Sequence, residues 1–273
     1  MKAYLDALDH VLTYGQRRLD RTGVGTLGVF GLSVKVNLQK GFPLLTTKKI
    51  KFGATVAELI WMMRGQTNTN QLKALGAHFW DKWADERGEL GPVYGAQWRD
   101  WGGRIGGKRT MLAGIDQLST VVSQIRRDPF SRRHLVSAWN VEALPFMRLP
   151  PCHYAFQFWV SPGLTELSCI VSMRSLDVFI GLPFDIALYA LLTHAVAHLT
   201  GLKPGSLQIN ACDAHLYVNH VEQAAIQLAR EPRELPTLTI EQHGQRTVDD
   251  FDPVDFKLSH YSAHPPIKAE VAI

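Results

Sequence analysis

A cysteine that follows two prolines is the first group in this sequence that could do covalent chemistry. The segment Pro150-Pro151-Cys152-His153 places a thiol at the start of a predicted strand. The prolines fix φ and remove two backbone donors, so the thiol lies on a rigid corner. A thiolate with a lowered pKa is a good nucleophile, and a nearby guanidinium can lower that pKa. The alternative is a buried cysteine that packs as a small hydrophobic residue.

Arginines form a second group of candidate residues. They occur as Arg21 in an Arg-Thr-Gly turn, as the pair Arg132 and Arg133 ahead of a strand, and as Arg174 beside Ser175. Any one of them taken singly is better explained by a surface ion pair. Taken together, they resemble the fork-shaped donors that hold a phosphate monoester.

A carboxyl group and a set of aromatic side chains form a third group. Glu58 lies in the apolar segment TVAELIWMMRG, where burial would raise its pKa and let it exchange protons near neutrality. On the helix surface it would be an ordinary charge. Nearby aromatic residues suit either a core or a flat heteroaromatic ligand, and they are Trp80, Trp83, Tyr94, Trp98 and Trp101. His215 and Tyr217 are two residues apart, so they point the same way if their segment is extended.

Composition limits the class of protein that carries these groups. The chain has 273 residues, 46% hydrophobic residues and a net charge of +4, which is typical of a globular protein. It has no run of like charges that would indicate a nucleic-acid-binding protein, the alternative class. Cys152, Cys169 and Cys212 are odd in number and lack C-x-x-C spacing, so we expect no zinc site and a reducing, cytoplasmic location.

Hydrophobic periodicity predicts the elements that must position these residues. Helices are expected in 1–18, 54–64, 115–127, 186–199 and 216–230, and strands in 29–38, 134–139, 153–160, 167–173 and 206–212. The apolar stretch 186–202 is too short for the roughly 20 residues of a membrane span, so we interpret it as a buried helix. Adjacent strands with separate helices favour an α+β fold. We expect a single domain over 1–273, with an exposed, mobile loop at about 99–114.

Long segments of the chain closely resemble thymidylate synthases. The resemblance extends from Met1 to the C-terminal PPIKAEVAI, and only the 99–114 loop is unfamiliar. It is carried by DRTGVGTLGVFG, FPLLTTKK, ELIWMMRG, WADERGELGPVYGAQWR, DPFSRRHLVSAWN, LPPCH, RSLDVFIGLPFDIA and DAHLYVNH. The resemblance implies a homodimer whose mixed sheets pack back to back. It also implies methylation at C5 of a pyrimidine nucleotide, with 5,10-methylenetetrahydrofolate giving both carbon and hydride and with no metal.

The resemblance also implies a role for each candidate residue. Cys152 matches the nucleophile that adds to C6, Glu58 matches the carboxyl that organises proton transfer, and Tyr94 and His153 match residues beside the nucleophile. The implied nucleotide ligands are Arg21, Arg174 and Ser175 for phosphate, Arg132 and Arg133 from the partner subunit, and His215 and Tyr217 for the sugar 3′-hydroxyl. The implied folate contacts are Trp80, Trp83, Asp177, Lys48 and the closing tail, Ala272 and Ile273. The arginines around the phosphate are expected to help keep the Cys152 thiolate ionised.

One departure from the family concerns the residue that reads the base. Thymidylate synthases have GLPFN where this chain has GLPFD, so Asp185 replaces an asparagine at the O4 and N3 edge of uracil. Keeping that carboxyl neutral at pH 7 costs roughly 4 kcal/mol from its reference pKa, which disfavours uracil. Cytosine offers a donor at N4 and an acceptor at N3, which a carboxyl can pair with. An aspartate at this position resembles the deoxycytidylate hydroxymethylases and methyltransferases. Neutral drift in an ordinary thymidylate synthase is the alternative. Met173, where the family usually has glutamine, is a second departure.

The product depends on whether hydride or water ends the reaction. The chain keeps Trp80, Trp83 and the closing tail, which would shield the exocyclic methylene from water. We therefore expect 5-methyl-dCMP from dCMP. The alternatives are 5-hydroxymethyl-dCMP and, after it, ordinary dTMP synthesis from dUMP. Analogy with such cytosine-modifying enzymes suggests a viral source, in which case the enzyme would act in the host cytoplasm.

Overall fold

A computed structural model describes residues 1–105, 108–109, 114–241 and 243–271. The helices are α1 Lys2–Tyr14, α2 Phe52–Met63, α3 Thr69–Ala74, α4 Tyr94–Arg99, α5 Gln117–Arg127, α6 Gly181–Thr200 and α7 Val221–Leu228. The strands are β1 Gln16–Arg18, β2 Thr26–Asn37, β3 Arg104–Ile105, β4 Lys108–Arg109, β5 Leu135–Ser137, β6 His153–Val160, β7 Glu166–Asp177, β8 Lys203–Tyr217, β9 Thr237–Ile240 and β10 Phe256–Ser259. The predicted α+β class is confirmed.

The main sheet is mixed and has the strand order β1-β2-β8-β7-β6-β5. Only β7 and β8 run parallel within it, and α6 is the crossover between them. Such a parallel pair needs a long connection that packs back onto the sheet. The carboxyl ends of β7 and β8 therefore meet at one edge, next to the first turn of α6.

Helix α6 differs from its prediction in length and agrees with it in burial. It begins at Gly181, five residues before the predicted start, because Pro183 lies in the first turn, where a missing N–H costs nothing. By length and composition alone it could cross a membrane, but 78% of its most apolar window is buried inside the fold. It is thus the core helix of the structure.

The predicted helix over 216–230 begins too early. The segment 216–230 is not one helix, since Leu216 and Tyr217 end strand β8 and helix α7 begins at Val221. Leu216 is held in the sheet because it pairs with Leu27 of β2. Residues 215–217 are therefore extended, which is what the prediction that His215 and Tyr217 point the same way requires.

The predicted loop at 99–114 lies only partly in the described residues. Arg99, at its start, is not an exposed loop residue, because its guanidinium bonds both Asp116 and Asp249 at 2.8–3.0 Å. Strands β3 and β4 pair within the segment. Residues 106–107 and 110–113 lie outside the described residues.

The outer face of the main sheet carries exposed apolar side chains. Trp159 is 58% exposed and Leu135 is 47% exposed. Trp159 lines a recess of about 520 Å³ that crosses β2, β8, β7 and β6. The inner face, in contrast, is covered by α6 and the core.

Candidate active site

Strand topology brings the candidate residues to one edge of the main sheet. In the parallel pair, Ser175 lies beside Asp213 and Asp177 lies beside His215. Strand β6 is antiparallel to β7 and begins there, with His153 opposite Met173. The start of β2 reaches the same edge because Thr26 pairs with Tyr217. The edge opens into a cleft of about 910 Å³.

Cys152 lines this cleft, and hydrogen bonds from Arg174 hold the backbone that precedes it. The Arg174 guanidinium donates to the carbonyl oxygens of Pro151 at 2.9 Å and Pro150 at 2.8 Å. The same group lies 3.7 Å from Cys152 Sγ. The Cys152 backbone N–H donates to Tyr94 Oη at 2.8 Å. The two prolines and these bonds fix the thiol before any ligand arrives.

The arginines of the cleft act on this thiol in the expected direction, but in the free chain burial outweighs them. Burial raises the pKa of Cys152 above its usual value of 9.0, and Asp185 adds to the rise. Arg174 and Arg21 oppose the shift without cancelling it. The thiol of the free chain is therefore protonated near neutral pH.

The phosphate-binding candidates divide into two sets. Arg21, Arg174 and Ser175 line the cleft. The Arg21 turn is built by Asp20, whose carboxylate accepts from Thr22 Oγ1 at 2.6 Å and from Gly25 N at 2.9 Å. Arg132 and Arg133 are not in this cleft, since Arg132 lines the recess on the outer sheet face and both are exposed.

The sugar-binding candidates are held by an acidic neighbour. His215 Nδ1 lies 3.1 Å from Asp213 Oδ1, and Arg18 donates to Asp213 Oδ2 at 2.5 Å. His215 and Tyr217 both line the cleft, with their rings 5.2 Å apart and nearly perpendicular. This arrangement directs the remaining nitrogen of His215 away from Asp213.

Glu58 is buried, as the first of its two interpretations predicts, and is not a charge on the helix surface. It is 8% exposed and accepts a 2.7 Å hydrogen bond from Trp80 Nε1. Burial raises the pKa of Glu58 from 4.5 to about 7, and the Trp80 bond opposes the rise. Glu58 can therefore gain or lose a proton near neutrality.

Asp185 lies one helical turn after Gly181 and is not among the residues that line the cleft. It is partly exposed, and its Oδ2 is 3.6 Å from where a Cβ would project from Gly181, a residue of the cleft wall. The protein surrounds the carboxyl closely, so desolvation raises its pKa well above 3.8, and Glu58 and Asp177 add to the rise. Burial therefore favours the protonated form of Asp185.

His153 is a neutral ring packed between two tyrosines. It stacks on Tyr94 with ring centroids 4.0 Å apart, and its Nδ1 is 2.7 Å from Tyr189 Oη. Burial lowers the pKa of His153 to about 3. The side chain therefore carries no charge at physiological pH.

The predicted folate residues are only partly brought together. Trp83 and Asp177 line the cleft with Leu149, Ile180 and Val271. These residues fit a pterin ring, because an indole and apolar side chains suit its faces. Asp177 Oδ1 accepts from the N–H groups of Phe179 and Ile180, which leaves Oδ2 for a ligand.

Trp80 and Lys48 are not among the residues of the cleft wall. Trp80 is 7% exposed and bonds Glu58 instead. Lys48 is 6% exposed, donates to the carbonyl oxygen of Phe179 at 2.5 Å, and has its pKa lowered to about 7 by burial. Ala272 and Ile273 lie outside the described residues, and Val271 is the last tail residue seen at the cleft.

Sequence reasoning missed three residues that support the site. They are Asp20, Asp213 and Tyr189. Tyr189 had a readable signal, because it follows Asp185 by four residues and so shares its helix face. The bonds of Asp20 depend on a turn whose geometry composition alone does not give.

Comparison with known families agrees with the geometry. The family model described as thymidylate synthase matches residues 2–273, which is essentially the whole chain. The match includes every strand end and helix that forms the cleft. The chain belongs to the thymidylate synthase family, whose members are folate-dependent one-carbon transferases.

Proposed function

We propose that this enzyme converts dCMP to 5-methyl-dCMP, with 5,10-methylenetetrahydrofolate as carbon donor and reductant. The observation that carries the proposal is the Asp185 carboxyl next to Gly181 of the cleft wall, where burial raises its pKa and Glu58 adds to the rise. The carboxyl can accept from the N4 amino group while its own proton bridges to N3. Addition of Cys152 at C6 makes N3 more basic, so this interaction strengthens as the transition state forms.

The raised pKa of Asp185 also changes the argument against uracil. The expected cost of roughly 4 kcal/mol for protonating the carboxyl does not apply in full, because burial favours its protonated form. Discrimination therefore depends on proton transfer. Asp185 can give its proton to N3 of cytosine, whereas an asparagine amide cannot.

Water exclusion favours methyl transfer over hydroxymethyl transfer. Trp80 packs against Trp83 and Tyr94 with ring centroids 5.6 and 5.9 Å apart. Trp83 and Val271 lie at the cleft, where they would cover a methylene group on C5. Folate, when bound, supplies that methylene and the hydride, while the chain holds the base and keeps water out.

Product analysis tests the substrate and the product together. The enzyme is incubated with methylenetetrahydrofolate and either dCMP or dUMP, and the nucleotide product is identified by mass. We expect 5-methyl-dCMP; 5-hydroxymethyl-dCMP would contradict the water-exclusion argument. Product from dUMP alone would overturn the role of Asp185. The matched variant Asp185→Asn should move preference toward dUMP, and an unchanged preference would mean that the base is read elsewhere.

We also propose a homodimer, with each chain a single catalytic domain acting in the cytoplasm. The outer sheet face supports this, because it exposes Trp159 and Leu135 and holds Arg132 away from its own cleft. A partner packed there would receive Arg132 and Arg133 at its phosphate site. Mixing inactive Cys152→Ser and Arg132→Ala chains should restore about a quarter of the sites, as random pairing of symmetric dimers gives. No recovery would argue against shared sites.

A further inference from the structure

Helix α6 presents a second residue to the site one turn after Asp185. Tyr189 is fully buried, and its hydroxyl lies 2.7 Å from His153 Nδ1. This bond joins the helix that carries Asp185 to the strand that begins beside Cys152. Sequence resemblance assigned Tyr189 no role.

Two rings fix the orientation of His153. Tyr94 stacks on it with an interplanar angle of 17°. Tyr189 meets it edge-on, with an angle of 85° and centroids 5.3 Å apart. Stacking fixes the plane of the imidazole, and the hydroxyl fixes its rotation within that plane.

Proton counting gives the tautomer of this ring. Within the described part of the chain, Tyr189 Oη has His153 Nδ1 as its one hydrogen-bond partner. The buried hydroxyl must donate its hydrogen there, since a reversed bond would leave that hydrogen unsatisfied. His153 Nδ1 is then an acceptor. In a neutral ring the remaining proton resides on Nε2.

We propose that Tyr189 is a positioning residue that holds His153 in its Nε2–H tautomer, so that this N–H donates to the base bonded to Cys152 or to a water on it. The proposal rests on the proposed function only in requiring a pyrimidine adduct at Cys152. It holds for either base. Tyr189 itself touches neither substrate nor folate.

Steady-state kinetics of Tyr189→Phe give the first test. The variant keeps the ring and removes the hydroxyl, so kcat should fall about tenfold while KM for the nucleotide changes less than about twofold, as loss of one hydrogen bond predicts. The matched control is Tyr4→Phe, which removes an equally buried hydroxyl that bonds Gln227. Equal losses in both variants would indicate a general structural effect and overturn the proposal.

Nitrogen NMR of His153 separates this proposal from the proposed function. In the free wild-type enzyme, the ¹⁵N shifts should show an unprotonated Nδ1 and a protonated Nε2, whatever nucleotide the enzyme uses. In Tyr189→Phe, both tautomers should appear. A protonated Nδ1 in the wild type, or an unchanged tautomer in the variant, would overturn the positioning role even if dCMP is methylated.

Replacing His153 tests whether Tyr189 acts through it. The amide N–H of His153→Gln lies near the place of Nε2, so this variant should lose less activity than His153→Asn. Adding Tyr189→Phe to His153→Gln should cost no further activity. An additional tenfold loss in the double variant would show that Tyr189 acts independently of His153. This comparison also serves if the single tyrosine variant folds poorly.

Discussion

The rim of the cleft carries ionised side chains, whereas burial in the interior behind it disfavours charge. The rim comprises Arg18, Arg21, Arg174 and Asp213, and the interior comprises Glu58, Tyr94, His153, Asp185 and Tyr189. At the rim, arginines pair with an ion or with neutral acceptors, as Arg18 does with Asp213 and Arg174 does with two carbonyl oxygens. In the interior, burial shifts the pKa values of Glu58, His153 and Asp185 toward their neutral forms.

This difference indicates which half of the cleft suits binding and which half suits proton transfer. Ionised arginines suit recognition of a charged phosphate. Glu58, whose pKa burial raises to about 7, can gain and lose protons during a reaction. Cys152 lies at the boundary, with Arg174 on one side and Asp185 on the other.

The largest effect should come from the residue at this boundary. Cys152→Ser should lower kcat at least about a thousandfold, since a serine hydroxyl there lacks an adjacent base to activate it. The control is Cys212→Ser at an exposed thiol, which should keep wild-type activity. A Cys152→Ser enzyme with substantial turnover would show that no covalent adduct is needed.

Glu58→Gln probes the interior directly. The variant should lower kcat about a hundredfold, the lower range for loss of a general acid or base. In the wild type, kcat should change with pH about an apparent pKa near 7, the value to which burial raises Glu58. The variant should lack this inflection. An inflection that persists would assign it to another group.

The same substitution should raise stability in alkaline solution. The folded-state pKa of Glu58 is raised from 4.5 to about 7, so the fold loses stability as pH rises through this window and stays lower above it. Glu58→Gln removes that cost, which is up to about 3 kcal/mol at about 1.4 kcal/mol per pKa unit. Urea unfolding at pH 8 should show the gain, and unfolding at pH 4.5 should show little. Equal effects at both pH values would contradict a buried, titrating carboxyl.

The smallest effect should come from the rim. Asp213→Asn keeps an acceptor for His215 Nδ1, so KM for the nucleotide should rise only about threefold. Arg18→Ala, which removes the exposed partner of Asp213, should change KM by less than about twofold, because surface ion pairs contribute little. An increase in KM of more than tenfold in either variant would contradict the difference between rim and interior.

Local patterns predicted the strands and helices that form the cleft, but not the balance of forces inside it. Burial raises the pKa of Cys152, and Asp185, a residue far away in sequence, adds to the rise. The ion pairs of Arg99 have the same origin, because Asp249 comes from a distant part of the chain. Periodicity reports which faces are buried, whereas these effects depend on tertiary proximity.

The position of Asp185 on α6 has a consequence for how base preference can evolve. Aspartate and asparagine have nearly the same shape, and their codons differ by a single nucleotide. Because α6 is fixed by the core along its length, exchanging them leaves the surrounding backbone in place. Under the role proposed for Asp185, a lineage with this fold could therefore change its nucleobase by one point mutation, without passing through an unfolded ancestor.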